Sequence, residues 1–274
     1  MYRRILTAVD ESLNAHVAAR YAMALAQACG STLLVAGVLT RTMTGTEEGA
    51  IAQSAGWLVS EAEERGVPTH LLMERGAVVK TLDDLARTHH IDVVMTASRH
   101  HDVEQRYFLR TIPQRLMAVL HCALIIVRVV HLGLLAHPRQ ILVPVLGGAF
   151  DNTERAYLVS QLAAHFHAKL IVFHALEQAR RRGQAVPHEA GARQVRTFVD
   201  NLREAGTEPQ VRIVTGPLVG EAIMQEAARH RHDLIIMGAS QRSLFSKWRR
   251  GNPLEEVMRR TPCDLFVCRS RRRV

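Results

Sequence analysis

The sequence of 274 residues has few cysteines, few aromatic residues and no long apolar run. Its four cysteines are scattered and form no CxxC pair, so they fit neither a disulfide framework nor a zinc site. We expect Cys29, Cys122, Cys263 and Cys268 to be small buried hydrophobes. Aromatic residues make up only 5% of the chain, which does not favour the stacked aromatic surface that binds bases. We therefore do not expect nucleic acid as a partner.

No apolar stretch approaches the roughly 20 residues that a membrane helix needs. The first six residues, Met-Tyr-Arg-Arg-Ile-Leu, lead straight into a strand-like run and contain no signal-peptide core. We therefore expect a cytoplasmic protein without a membrane span. The net charge of +9 is concentrated in arginine runs at 180–182, 249–250 and 271–273, which are typical of solvated loops and tails.

The chain also lacks the usual motifs of metal and enzyme sites. Among its 15 histidines, the pairs at 89–90, 100–101 and 165/167 lack the i,i+4 spacing that places two ligands on one helix face, and no HExxH is present. No GxxxxGK[ST] or GxSxG motif occurs either. We expect no metal and no catalytic residues.

Short apolar runs alternate with helical patterns through the first half of the chain. The predicted strands are 3–10, 32–39, 69–74, 92–97 and 123–127. The predicted helices are 15–29, 48–64, 78–88 and 111–120, with residues 40–49 as a loop. Ser12 or Asn14 is placed to cap the first helix and Gly30 to end it. This order predicts an α/β fold whose parallel sheet is covered by helices on both faces.

The second half repeats the first. The run Arg-Gln-Ile-Leu-Val-Pro-Val at 139–145 matches Arg-Arg-Ile-Leu-Thr-Ala-Val at 3–9, and the later elements follow in the same order. A period of half the chain indicates a duplicated domain. We predict two repeats of a Rossmann-like, five-stranded parallel sheet, with domains at 1–132 and 138–274 and a short linker between them.

One stretch of the second repeat favours an anion. An apolar strand from Asp233 ends at Gly238, and a loop with four basic residues and no acid leads to Gly251-Asn252-Pro253, where a helix begins. A helix start offers unpaired backbone N–H groups, and glycines let a phosphate approach them closely.

These features together resemble the universal stress protein family. The resemblance rests on the strand ending Val9-Asp10, on the run Asp-Leu-Ile-Ile-Met-Gly-Ala-Ser from Asp233, and on Pro262-Cys263 before a last strand. It covers both halves, so the chain is similar to a tandem universal stress protein. The resemblance implies a fold like that of the adenine nucleotide alpha hydrolases and a stress-response role without catalysis.

Nucleotide-binding members of that family carry a loop Gly-x2-Gly-x9-Gly-Ser/Thr and an Asp after the first strand. The second domain keeps the loop length as Gly238-x2-Gln241-x9-Gly251-Asn252, but Leu146 stands at the Asp position. The first domain keeps Asp10, but its loop runs Ala97-x2-His100-x9-Arg110-Thr111, in which only Thr111 fits. The two domains therefore divide the features of one nucleotide site between them.

The resemblance implies that ATP or a related adenine nucleotide is bound best by the second domain. The residues implied there are Pro144, Val145, Gly238, Gln241, Arg242, Gly251, Asn252 and Pro253. In the first domain they are Asp10 and Thr111. Structural alternatives stay open: Asp10 could cap the first helix, Gly238 could allow a strand and a helix to approach, and the basic loop could be solvated.

Two functional hypotheses follow. The first is a non-enzymatic regulatory protein of the stress response with a degenerate ATP-type site. The alternative is a nucleotide-independent dimerisation or interaction module that acts on an unknown protein partner.

We expect whole chains to form a homo-oligomer. The resemblance also implies that the last strands, Leu124–Val127 and Leu265–Cys268, meet edge to edge within one chain as an internal pseudo-dimer. Such pairing would protect two otherwise open sheet edges.

Residues 1–132 expressed alone should therefore dimerise or aggregate. A stable monomer in sedimentation would contradict the pairing.

Overall fold

The computed structural model describes residues 2–98, 111–132, 137–146, 152–177, 188–216, 218–239 and 252–271. The chain divides into two compact units, one formed by Met1–Ala136 with Arg269–Val274 and the other by His137–Cys268. The predicted domain boundaries at 132 and 138 stay a prediction, and the residues from Arg269 on group with the first unit.

The first unit alternates strands and helices as predicted. Its elements are β1 (Arg4–Val9), α1 (Leu13–Cys29), β2 (Thr32–Leu39), α2 (Gly45–Glu64), β3 (Thr69–Arg75), α3 (Val78–Thr88), β4 (Val93–Ser98), α4 (Ile112–Val119) and β5 (Ala123–Arg128). The strands lie in the order β3-β2-β1-β4-β5, and all their pairings are parallel. Helix α1 begins with Ser12 as its N-cap, whose side chain accepts from the Ala15 amide.

The second unit repeats this arrangement. Its elements are β6 (Gln140–Pro144), α5 (Asn152–Phe166), β7 (Lys169–Glu177), α6 (His188–Glu204), β8 (Gln210–Gly216), α7 (Val219–Arg229), β9 (Leu234–Gly238), α8 (Pro253–Arg260) and β10 (Asp264–Arg269). The strand order is β10-β9-β6-β7-β8, again parallel throughout. The predicted α/β fold with two five-stranded parallel sheets is confirmed.

Equivalent turns align the two units residue by residue. Gly30 and His167 both have positive φ, 61° and 51°, and follow the equivalent helices α1 and α5. The turn glycines Gly66 and Gly206 correspond in the same way, as do His90 and Arg231. These pairs fix which residue of one unit stands where in the other.

An aspartate before the fourth strand holds the start of the first strand in each unit. The Asp92 Oδ2 accepts hydrogen bonds from the amides of Arg3 (2.7 Å) and Arg4 (3.1 Å). The Asp233 Oδ2 does the same for Arg139 (2.8 Å) and Gln140 (2.9 Å). Each aspartate immediately precedes the strand that it was expected to open. Its carboxylate satisfies two backbone amides at this end of the sheet.

The predicted loop at 40–49 is partly wrong. Helix α2 begins at Gly45, and Thr44 is its N-cap. The Glu47 carboxylate accepts from the Thr44 amide at 2.7 Å, while the Thr44 hydroxyl accepts from the Glu47 amide. This capping box stabilises a helix start that glycine and threonine content had suggested was irregular. None of the described helices combines the length and the apolarity that crossing a bilayer requires.

The two units differ in one charged cluster. At the positions of Leu72, Leu85 and Ile91 in the first unit, the second unit has Arg212, Glu226 and His232. The Arg212 guanidinium donates to the buried Glu226 carboxylate at 2.5 Å, and the His232 Nε2 lies 3.6 Å from the same carboxylate. Burial lowers the pKa of His232 below its usual value, although the Glu226 carboxylate acts in the opposite direction.

This burial makes the stability of the second unit depend on pH. The unfolded chain protonates His232 near its ordinary pKa of about 6.5, whereas the folded chain does so only at lower pH. Stability should therefore fall as the pH drops below about 6.5, since the unfolded state then binds more protons. His232→Ile, which copies Ile91, should reduce the loss of unfolding free energy between pH 7.5 and 5.5, as measured in urea.

The control is His70→Gln, at an exposed position of β3. It should leave the pH dependence unchanged. An equal effect of both substitutions would show that His232 is not the responsible group.

Candidate functional site

A cavity of about 310 Å³ lies at the carboxyl ends of the strands in the first unit. Its walls are mostly apolar and come from β1, β2, β4 and the helices on both faces of the sheet. The lining residues include Asp10, Ser12, Ala36, Ile51, Thr96 and Pro113. Ligand sites of parallel α/β sheets lie at this edge, where the strand order reverses. In the first unit the reversal falls between β1 and β4.

Asp10 brings a carboxylate to the wall of this cavity. It follows the last residue of β1, and its Oδ1 accepts from the Ser12 amide at 2.9 Å. Its backbone carbonyl accepts from the Ser54 hydroxyl at 3.0 Å. Asp10 therefore lines the cavity and bonds the amide of Ser12, and Ser12, not Asp10, is the N-cap of α1.

The start of α4 forms another part of the wall. Ile112 and Pro113 line the cavity, and Thr111 is the N-cap residue of this helix. The Thr111 hydroxyl does not accept a hydrogen bond from the first turn, so it is not used as a cap. The predicted loop residues His100 and Arg110 lie outside the described residues.

In the second unit, the predicted site residues that the structure describes are engaged within the protein. Pro144 ends β6 with a buried side chain, and Gly238 ends β9. Asn252 is the N-cap of α8, where its Oδ1 accepts from the Leu254 amide at 3.2 Å, and Pro253 is the first helical residue. The remaining predicted residues, Gln241, Arg242 and Gly251, lie outside the described residues.

The side chain of Arg155 occupies the space beside Pro144 and Gly238. Its Nη1 donates to the Pro144 carbonyl at 3.3 Å, and its guanidinium lies 4.6 Å from the centre of the Phe198 ring. A Cβ added to Gly238 would lie 3.1 Å from the same Nη1. Burial lowers the pKa of Arg155 to about 10, so the group still carries its charge at neutral pH. The first unit has the small, buried Ala18 at this position.

Two residues of the second unit are larger than their counterparts in the cavity wall of the first unit. Ala36 and Thr96, which line the cavity of the first unit, correspond to the fully buried Phe173 and Met237. A phenylalanine ring takes up the space that an alanine leaves open.

A histidine also replaces part of the cavity wall. His174 stands where the first unit has Gly37, and its Nδ1 donates to the Val145 carbonyl at 2.7 Å. The counterpart of Ile51 is Gly191, where an added Cβ would lie 2.6 Å from the His174 Nε2. The imidazole thus lies beside Gly191, where the first unit has the aliphatic side chain of Ile51. Val145, another predicted site residue, accepts its hydrogen bond through the backbone carbonyl.

Within the described ranges, no group of three or more histidine, cysteine, aspartate or glutamate side chains could hold a metal ion.

The sequence of each unit matches the universal stress protein family, over residues 1–128 and again over residues 138–269. The chain belongs to this family. Two copies in one chain make it a tandem universal stress protein, as the resemblance indicated. No curated protein matches the chain.

Solved structures share its fold over nearly the whole length. A universal stress protein from Archaeoglobus fulgidus DSM 4304 is 17% identical with a TM-score of 0.66, covering 97% of this chain and 96% of its own. A functionally unknown protein from Pseudomonas aeruginosa PAO1 is 18% identical with a TM-score of 0.61, covering 98% and 93% respectively. At this identity the likeness concerns the fold alone.

Sequence reasoning identified Asp10 and missed the side chains that fill the second unit. Arg155, Phe173 and His174 lie in ordinary helix and strand patterns, and none belongs to a motif. The signal that could have found them is the alignment of the two repeats, since all three replace alanine or glycine. The contacts of Gly238 favour the structural alternative, a close approach of helix and strand, for this glycine.

Gly238→Ala tests whether this glycine makes room for Arg155. The added methyl group should crowd the guanidinium in the wild-type background and meet no such obstacle in Arg155→Ala. We expect a coupling of about 1 kcal/mol between the two substitutions in the free energy of unfolding.

Gly56→Ala in α2 is the matched control, because a Cβ there meets nothing within 4 Å. It should stabilise by up to about 1 kcal/mol in either background. Additive effects of Gly238→Ala and Arg155→Ala on the free energy of unfolding would contradict the prediction that this glycine makes room for Arg155.

Proposed function

We propose that this tandem universal stress protein is a non-enzymatic regulator that binds one adenine nucleotide in the cavity of its first unit. The observation that carries the proposal is the position of Asp10 in the wall of that cavity, at the strand ends where sheets of this type bind ligands. The family resemblance assigns the aspartate at this position to the nucleoside.

The size and lining of the cavity support a nucleoside. Its volume of about 310 Å³ is at the lower end of known ligand pockets, which suits a nucleoside better than a whole triphosphate. Apolar walls such as Ala36 and Ile51 fit the faces of an aromatic base, and the Asp10 carboxylate can accept from ribose hydroxyl or base N–H groups. The phosphates would extend towards Thr111 and the start of α4.

The second unit remains a predicted site with less support. Its loop carries the better phosphate-binding sequence, but Arg155, Phe173 and His174 fill the place of the nucleoside cavity, and Leu146 replaces the aspartate. We therefore rank the first unit above the second as the nucleotide site, which reverses the ranking that the loop sequence favours.

Thermal unfolding with AMP and ATP at millimolar concentration tests the proposal. A ligand at one hundred times its Kd should stabilise the protein by about 2.7 kcal/mol. Asp10→Ala should weaken binding by about one to two decades, because a hydrogen bond to a charged group contributes about 1.5–3 kcal/mol. Ala36→Phe, which copies Phe173, should abolish binding by filling the cavity.

Gly251→Glu distinguishes the two units. It should leave nucleotide binding unchanged if the first unit is the site. Loss of binding in Gly251→Glu but not in Asp10→Ala would move the site to the second unit. No stabilisation of the wild-type protein by either nucleotide would contradict the proposal and favour the nucleotide-independent interaction module.

A further inference from the structure

A hydrogen-bonded chain connects α1 and α2 to the backbone of Asp10. The Ser54 hydroxyl of α2 donates to the Asp10 carbonyl at 3.0 Å, and the same hydroxyl oxygen contacts the His16 Nε2 of α1. Ser54 is 8% exposed, so its hydroxyl relies on these protein contacts and not on solvent. We call Ser54 and His16 together the Asp10 support.

The single hydroxyl proton of Ser54 determines which group donates in each of these hydrogen bonds. A carbonyl oxygen can only accept, so the single hydroxyl proton of Ser54 goes to Asp10. The Ser54 oxygen must then accept from His16, which requires a proton on Nε2. Both the neutral Nε2–H tautomer and the protonated imidazole meet this requirement.

Stacking fixes the His16 ring in the orientation that the chain needs. The ring stacks on Trp57 with centroids 5.4 Å apart and planes inclined by 23°. The Arg20 guanidinium also packs on Trp57, at 5.0 Å from the ring centre, and its Nε bonds both carboxylate oxygens of Glu61 at 3.0 and 3.1 Å. The imidazole thus packs on one aromatic ring, Trp57, which also contacts the ion-paired Arg20.

The charged groups around His16 oppose each other. Burial and the Arg20 charge lower the pKa of His16, whereas Asp10 and Glu61 raise it. The Asp10 carboxylate and the imidazole therefore interact electrostatically as well as through Ser54. A change at Asp10 should be detectable at His16.

The second unit has lost the whole arrangement. Asp10, His16 and Ser54 correspond to Leu146, Thr153 and Gln194, so the carboxylate and both members of its support are missing together. A purely structural helix contact would have no reason to disappear with the carboxylate. This joint loss links the support to the function of Asp10.

We propose that Ser54 and His16 are positioning residues that hold Asp10 at the nucleotide cavity of the first unit. This inference rests on the proposed function. Ser54 anchors the backbone of Asp10, the Ser12 amide anchors one carboxylate oxygen, and the carboxylate is thereby presented to the cavity wall. Neither Ser54 nor His16 lines the cavity, so both act through Asp10.

A double-mutant cycle on the Kd for AMP tests this role. Ser54→Ala should raise the Kd about five-fold, which is the usual contribution of one neutral hydrogen bond. In an Asp10→Ala background it should cause no further change. Ser60→Ala is the matched control, because the Ser60 hydroxyl donates to the Gly56 carbonyl within the same helix, and its Kd should equal that of the wild type.

Conservative variants separate positioning from folding. His16→Gln can retain an N–H donor near the Nε2 position and should bind like the wild type, whereas His16→Leu should match Ser54→Ala. If Ser54→Ala fails to fold, Ser54→Cys keeps the side-chain volume with a weaker donor and should raise the Kd in the same direction. An equal effect of Ser54→Ala with and without Asp10 would overturn the inference.

A readout without ligand distinguishes failure of this inference from failure of the proposed function. The chain has two tryptophans, so Trp248→Phe leaves Trp57 as the fluorescent reporter of His16. The pH at which its emission changes should fall in Asp10→Asn, because the carboxylate raises the pKa of His16.

An unchanged transition would show that the support is not coupled to Asp10 and would overturn the inference, even if AMP binds. A shifted transition without AMP binding would refute the proposed function, and with it the positioning role, while the coupling itself would stand.

Discussion

The amount of side-chain volume at the carboxyl ends of the strands decides what each unit of this protein can do. A parallel sheet flanked by helices leaves a crevice where neighbouring strands are followed by helices on opposite faces. Ala36 and Thr96 line an open cavity in the first unit, and the larger, buried Phe173 and Met237 stand at these positions in the second. Because protein interiors are close-packed, a few methylene groups determine whether a ligand fits.

The second unit also has a buried cation beside these strand ends. Arg155 is buried, yet it donates to the Pro144 carbonyl and packs on the Phe198 ring, which are contacts that a guanidinium makes more favourably than an ammonium. Gly238 provides the room for it. Gly238, which the sequence predicts as a phosphate-loop residue, thus lies against this internal cation.

The two units also differ in the charged cluster around Glu226. The first unit packs Leu85 and Ile91 where the second pairs Glu226 and His232 with Arg212. Buried ionic groups are costly unless they satisfy one another, so such substitutions are tolerated only as a set. The two units thus share one backbone arrangement but differ in the side chains of their cores.

The sequence by itself determined the order of the elements, the duplication and the family. These features follow from local patterns, since alternating apolar runs, caps such as Ser12 and turn residues such as Gly30 act over a few residues. Tertiary structure decided that Asp10 lines a cavity, that Arg155 lies beside Gly238 and that Ser54 donates to the Asp10 carbonyl. Those answers depend on side chains 38 to 44 positions apart, or in different elements altogether, that meet only when the sheet has formed.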